Sequence, residues 1–143
     1  MSYLFDTDAI SEILKPRPSH PYVKWLAGIP RAEQYCSAVS IGELFRGAFR
    51  SPGRDRHITN IETRVLPAVT VLPYDAATAR EYGRVAAFLE THGRRLADAD
   101  LQIAATALQH GLQLVTGNIR HFERIPDLQI EPILAAQRPN LRR

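Results

Sequence analysis

Apolar positions along the chain follow two rhythms that alternate. Short unbroken apolar runs at residues 2–6 (SYLFD), 34–39 (QYCSAV), 69–73 (VTVLP), 112–116 (LQLVT) and 129–131 read as buried strands. Between them apolar residues recur at helical spacing. Ile10, Ile13 and Leu14 mark a helix over 8–14, and residues 22–27 a second one stopped by Gly28 and Pro30. Leu44, Phe45 and Ala48 form the stripe of a helix that opens at Ser40 and runs to about Arg50, and another helix is expected around 55–66. Asp75 starts a long helix through Tyr82, Val85, Ala86 and Leu89 that ends at Gly93. Residues 101–109 form an alanine-rich helix, with Gly111 just past its end. PRPSHP (16–21) and SPGR (51–54) are clear breaks. Strands alternating with helices predict an α/β sandwich around a mostly parallel sheet.

Length and composition sharpen this picture. The 143 residues suit one domain with a sizeable core, expected over 1–133, followed by a basic, polar tail over 134–143 expected to be frayed. Hydrophobic residues at 45% and charged residues at 23% are ordinary globular values. The net charge is +3, yet of 18 basic residues only Lys15 and Lys24 are lysine. So arginine-rich a chain suits anionic partners that accept paired N–H donors, such as phosphate and carboxylate. The single cysteine, Cys36, excludes an internal disulfide or a cysteine-anchored zinc cluster. The start MSYLFDTDAISEIL lacks a basic region and carries Asp6, Asp8 and Glu12, unlike a signal peptide, and no apolar run is long enough to span a membrane. A reducing, cytoplasmic setting is the expectation.

In an open parallel sheet, ligands sit outside the C-terminal strand ends. Asp6 and Asp8 follow the first expected strand, Ser40 and Glu43 the second, and Thr116, Gly117 and Asn118 the fourth. Asp98 and Asp100 open the alanine-rich helix that leads into that fourth strand. Like charges gathered this way repel and raise one another's pKa, a conflict that a hard divalent cation resolves. Local readings compete. Asp8 fits an N-cap, Ser40-x-x-Glu43 fits a capping box, and either Asp98 or Asp100 could cap its helix. Asp6 has no such local role, since an acid closing an apolar strand would otherwise be buried without a partner. The five histidines show no metal-ligand spacing and read as surface groups. No serine or cysteine triad, P-loop or dinucleotide fingerprint is present. Trp25, Phe45, Phe49 and Tyr82 lie at helical spacing and read as core or interface.

LFDTDAISEIL, SAVSIGELFRGA, ADADLQIAATALQHG and LVTGNIRHFE, in that order over residues 3–131, resemble the PIN-domain ribonucleases of the VapC toxin type. The resemblance implies a three-layer α/β/α sandwich and a Mg²⁺- or Mn²⁺-dependent endoribonuclease. It also implies a VapB-type antitoxin partner, a homodimer and a toxin–antitoxin hetero-oligomer. Carried over by position, Asp6, Glu43 and Asp100 are the implied metal-holding and catalytic acids. Asn118, the implied fourth catalytic position, stands where the family often has Asp, and Asp8 where it commonly has Asn, so charge is traded within the cluster. Thr7, Asp8, Ser40, Asp98 and Thr116 are implied supports. Metal-assisted hydrolysis of RNA, leaving 5′-phosphate and 3′-hydroxyl ends, is the expected chemistry. Trp25, Leu26, Phe45 and Phe49 are candidates to line an antitoxin groove. Two alternatives stand beside this reading: a haloacid-dehalogenase-like phosphatase with Asp6 as nucleophile, and an inactive PIN-like binding module.

Overall fold

The strand β1 (Tyr3–Phe5) is buried at every position, as a strand covered on both faces must be. In the computed structural model, which describes residues 1–137, β1 lies at the centre of a five-stranded, wholly parallel sheet. The other strands are β2 (Gln34–Ser37), β3 (Thr70–Leu72), β4 (Gln113–Val115) and β5 (Ile130–Glu131), in the order β3-β2-β1-β4-β5. Parallel neighbours require long crossovers, and the intervening helices supply them.

Alternation along β1 divides the core in two. Tyr3 and Phe5 face a layer built from α1 (Thr7–Leu14), α2 (His20–Ala27), α3 (Ala38–Arg50) and α4 (Arg54–Asn60). Ala9, Tyr22, Leu44, Ala48 and Ile61 pack there. Leu4 points the other way, toward α5 (Ala76–Thr91), α6 (Asp98–His110) and α7 (Ile119–Phe122), through Val85, Leu89, Leu101, Leu114 and Phe122. The result is the expected α/β/α sandwich, with the sheet parallel throughout.

The expected break over 16–21 is shorter than predicted, since α2 takes in His20 and Pro21; α6 starts at Asp98 rather than 101, and α7 was not expected. Three further boundaries bear on the core and the site. First, α3 begins at Ala38, two residues before Ser40, because Ser37 caps it by accepting the Val39 N–H at 3.0 Å. The Ser40–Glu43 capping box therefore does not form; Ser40 is fully buried in the first turn. Second, α4 ends at Asn60 and widens into a π turn over Ile61–Val65, which keeps Ile61 and Val65 in the core. Third, residue 134 does not start a tail. A short helix α8 (Ile133–Ala136) carries Leu134 into the first core with no exposed surface. The rest of the expected tail, 138–143, lies outside the described residues. At the end of α6, Gly111 adopts φ +64°, a left-handed conformation suited to glycine, and turns the chain into β4.

Candidate active site at the strand ends

Strand order creates the site. After β1 the chain crosses to β2 on one side, and it later returns to β4 on the other, so a crevice opens at the C-terminal end of β1. Register pairs Phe5 with both Cys36 and Val115, which brings the next residue, Asp6, level with Thr116. The Asp6 N–H donates to the Val115 carbonyl at 3.1 Å.

Asp6 is 5% exposed and is itself the N-cap of α1, accepting the Ala9 N–H at 2.7 Å. That role was expected of Asp8. The Thr116 hydroxyl, fully buried, also bonds the Asp6 carboxylate, and Thr116 Oγ1 accepts the Asn118 N–H at 3.0 Å. One threonine thus ties the first acid to Asn118, which caps α7 with its backbone and leaves its side chain out of the cap. Burial pushes the Asp6 carboxyl from an ordinary 3.8 up to about 7. The bonds from Thr116 and Ala9 oppose the shift, while the charges of Asp8 and Asp100 add to it.

The other acids arrive from both helical layers. Glu43, in the second turn of α3, accepts the Thr7 hydroxyl at 2.5 Å, which joins α1 to α3. Asp100 sits in the first turn of α6, where the helix N-terminus favours an anion. Its carboxyl is raised, first by burial and also by Glu43, while His121 works in the opposite direction. The His121 Nε2 lies 3.6 Å from Asp100 Oδ2, within ion-pair range. Electrostatic coupling therefore links Asp6, Asp8, Asp100 and Glu43 into one set.

Two expected supports stand elsewhere. Asp98 caps nothing, and neither does Asp100, because Ala97 holds the N-cap without a side-chain bond. Asp98 instead accepts the Tyr82 hydroxyl at 2.7 Å and fastens α6 to α5. Ser40 lies beside the Cys36 thiol, and it is Thr7 that bonds Glu43's carboxylate. Among the groove candidates, Trp25 is committed to the core: its ring packs edge-on to Tyr3 at 5.2 Å and stacks on Tyr22 at 6.0 Å. Leu26 and Phe45 pack partly buried against that core, and Phe49 stays 54% exposed. His121 is the residue that spacing rules missed. Its only sequence signal is its place three residues beyond Asn118, one helical turn on from the fourth strand end.

Four coupled carboxylates are a donor set for a hard cation. Among the described residues no three acidic, histidine or cysteine groups stand close enough together to hold a metal ion. Mg²⁺ does not require that, since it is held by one or two carboxylates and keeps several waters. Among the described residues no helix is long and apolar enough to cross a membrane.

The family described as PIN domain matches residues 3–128. Toxin FitB of Neisseria gonorrhoeae is 36% identical over 124 residues, covering 83% of this chain and 89% of that protein. Ribonuclease VapC2 of Haemophilus influenzae is 33% identical over 132 residues, covering 92% of this chain and 97% of its own. Among solved structures, DNA-bound VapBC from Salmonella typhimurium superposes with a TM-score of 0.83 at 30% identity, covering 92% of this chain and 97% of that one.

Proposed function

Because this chain belongs to the PIN domain family, we propose that it is the endoribonuclease toxin of a toxin–antitoxin pair, cutting RNA at the carboxylate cluster and silenced by a VapB-type antitoxin. The observation that carries this reading is the convergence of Asp6, Asp8, Glu43 and Asp100 on the crevice at the end of β1. Relatives named as a toxin and a ribonuclease, and a neighbour solved with its antitoxin, support it. The match to this family sets the phosphatase alternative aside. A homodimer is part of the proposal.

Asp6 and Asp100 would hold Mg²⁺ or Mn²⁺, with Glu43 acting directly or through a water. When bound, the ion supplies positive charge against the scissile phosphate and acidifies a water. The protein's own groups fix the geometry beforehand. Ala9 and Thr116 lock the Asp6 carboxylate, Thr7 locks Glu43, and His121 faces Asp100. Asn118, tethered through Thr116, offers an amide in place of a further charge. Hydrolysis breaks the bond from phosphorus to the 3′-oxygen. The water oxygen joins phosphorus, one water proton passes to the departing 3′-oxygen, and a 5′-phosphate remains.

The test is cleavage of a structured RNA by purified wild-type protein, Asp6→Asn and Asp100→Asn, with EDTA in parallel. Removing a carboxylate that holds the ion forfeits several kcal/mol of transition-state stabilisation, on the order of a thousandfold in rate. Undiminished cleavage by either variant sinks the assignment, and binding without cleavage by the wild type favours the inactive module.

A further inference from the structure

We propose that the groove leading from Thr7 and Glu43 along α3 is the track for the RNA backbone beside the scissile phosphate, with Arg46 and Arg50 as its phosphate contacts. The inference rests on the ribonuclease reading and names where the substrate lies.

Two neighbouring hollows carry it. One, of about 390 Å³, runs between α1, α3 and α4 from Thr7 and Glu43 to His57 and Asn60. The other, of about 440 Å³, lies along the outer edge of α3 between Glu43 and Arg50. Glu43, Gly47 and Ser51 line both, so each borders the carboxylate cluster at Glu43.

Gly47 is the second observation. It sits inside α3, where glycine costs about 1 kcal/mol against alanine. Neither its backbone nor its packing requires it, since its φ is not positive and a Cβ there would meet nothing within 4 Å. An open floor at that point leaves room for a chain to pass.

Charge selects the occupant. Arg46 and Arg50 are exposed and four residues apart, a spacing at which like charges repel. Among the described residues neither meets a carboxylate within ion-pair distance. By contrast, Lys15 in the same groove is neutralised by Glu12 at 2.9 Å. Two such guanidinium groups, about 6 Å apart along the helix axis, suit successive phosphates, which arginine binds through paired N–H donors. They also solve a problem of the site, because the carboxylates repel the substrate that the arginines would retain.

The experiment measures steady-state cleavage of a short fluorogenic RNA in Mg²⁺ over a series of KCl concentrations. It compares wild type, Arg46→Ala/Arg50→Ala, Arg46→Lys/Arg50→Lys, Gly47→Leu, and Arg80→Ala/Arg84→Ala on α5 in the opposite layer. The alanine pair is expected to raise KM at least tenfold with kcat within twofold. The dependence of log KM on log salt should flatten by about 1.4, at about 0.7 for each phosphate that is no longer neutralised. The lysine pair keeps the salt slope and recovers part of KM. Gly47→Leu lowers kcat/KM tenfold or more without lowering the melting temperature. Unchanged KM and slope in the alanine pair, or equal effects in the α5 control, overturn the proposal. So does a loss of antitoxin co-purification with RNA kinetics intact, which assigns the arginines to the protein partner. Absence of cleavage by the wild type overturns the ribonuclease reading and this inference with it.

Discussion

A carboxyl group that titrates near 7 rather than 3.8 makes Asp6 a source of instability in the metal-free protein. Between those two values the folded state binds a proton that the unfolded state has released, so stability falls as pH rises. Below about 4 the penalty is absent; above about 7 it is complete and amounts to a few kcal/mol. Asp6→Asn should therefore raise the melting temperature at pH 8 in EDTA, while changing little at pH 4, even as it removes cleavage. Equal melting shifts at both pH values would contradict this account of Asp6. His121 makes a separate prediction at the same scale. Loss of a group that orients a metal-holding carboxylate typically weakens metal affinity tenfold to a hundredfold. His121→Ala should raise the Mn²⁺ concentration for half-maximal binding, measured by paramagnetic resonance, by about that factor, and His121→Gln should recover part of it. The acids themselves were legible because strand ends and helix starts are marked in the sequence. Which acid caps α1 was not, since either fits an N-cap and the choice follows from where β1 ends, at Phe5.

At the scale of elements, the junction of β2 and α3 decides where Glu43 stands. The run QYCSAV looks like one strand because its apolar residues are contiguous, and nothing local marks Ser37 above Ser40 as the cap. Ser37 wins because the strand must stop where its pairing with β1 and β3 stops. Glu43 is thereby released from a capping role and left to Thr7. Ser37→Ala should cost about 1 kcal/mol in denaturant unfolding by removal of the cap. Leu134 tests the other boundary that sequence reading misplaced. Four residues of helix carry little signal, and its importance lies in a fully buried contact with a distant core. Leu134→Ala should cost about 2–5 kcal/mol, whereas a frayed tail would tolerate it.

At the scale of the whole molecule, alternation of strand and helix was readable but sheet order was not. Order depends on which crossover passes which face, a property of the packed layers rather than of any segment. Yet the order β3-β2-β1-β4-β5 is what turns scattered acids into a site, because it places the ends of β1, β2 and β4 side by side. Charge is divided accordingly. Acids converge on that edge while Arg46 and Arg50, which meet no carboxylate among the described residues, lie along α3, and the modest net charge of +3 hides the contrast. Filling the edge with a cation should stabilise the entire fold. At a hundred times its dissociation constant, a ligand specific to the folded state adds about 2.7 kcal/mol. Mg²⁺ added at pH 8 should therefore raise the melting temperature of wild type, and most of that rise should vanish in Asp6→Asn.

Cys36 has a practical consequence. It is wholly buried in β2, and burial pushes its thiol up to about 12, with the neighbouring Asp6 charge adding to the shift. Such a sulfur stays protonated at neutral pH and out of reach of maleimides and oxidants. The 143 residues therefore behave as a cysteine-free background. A single thiol introduced by Arg54→Cys, at the foot of α4, would accept one fluorophore at one position. Movement of RNA or antitoxin over that surface could then be followed in real time without first removing the native cysteine.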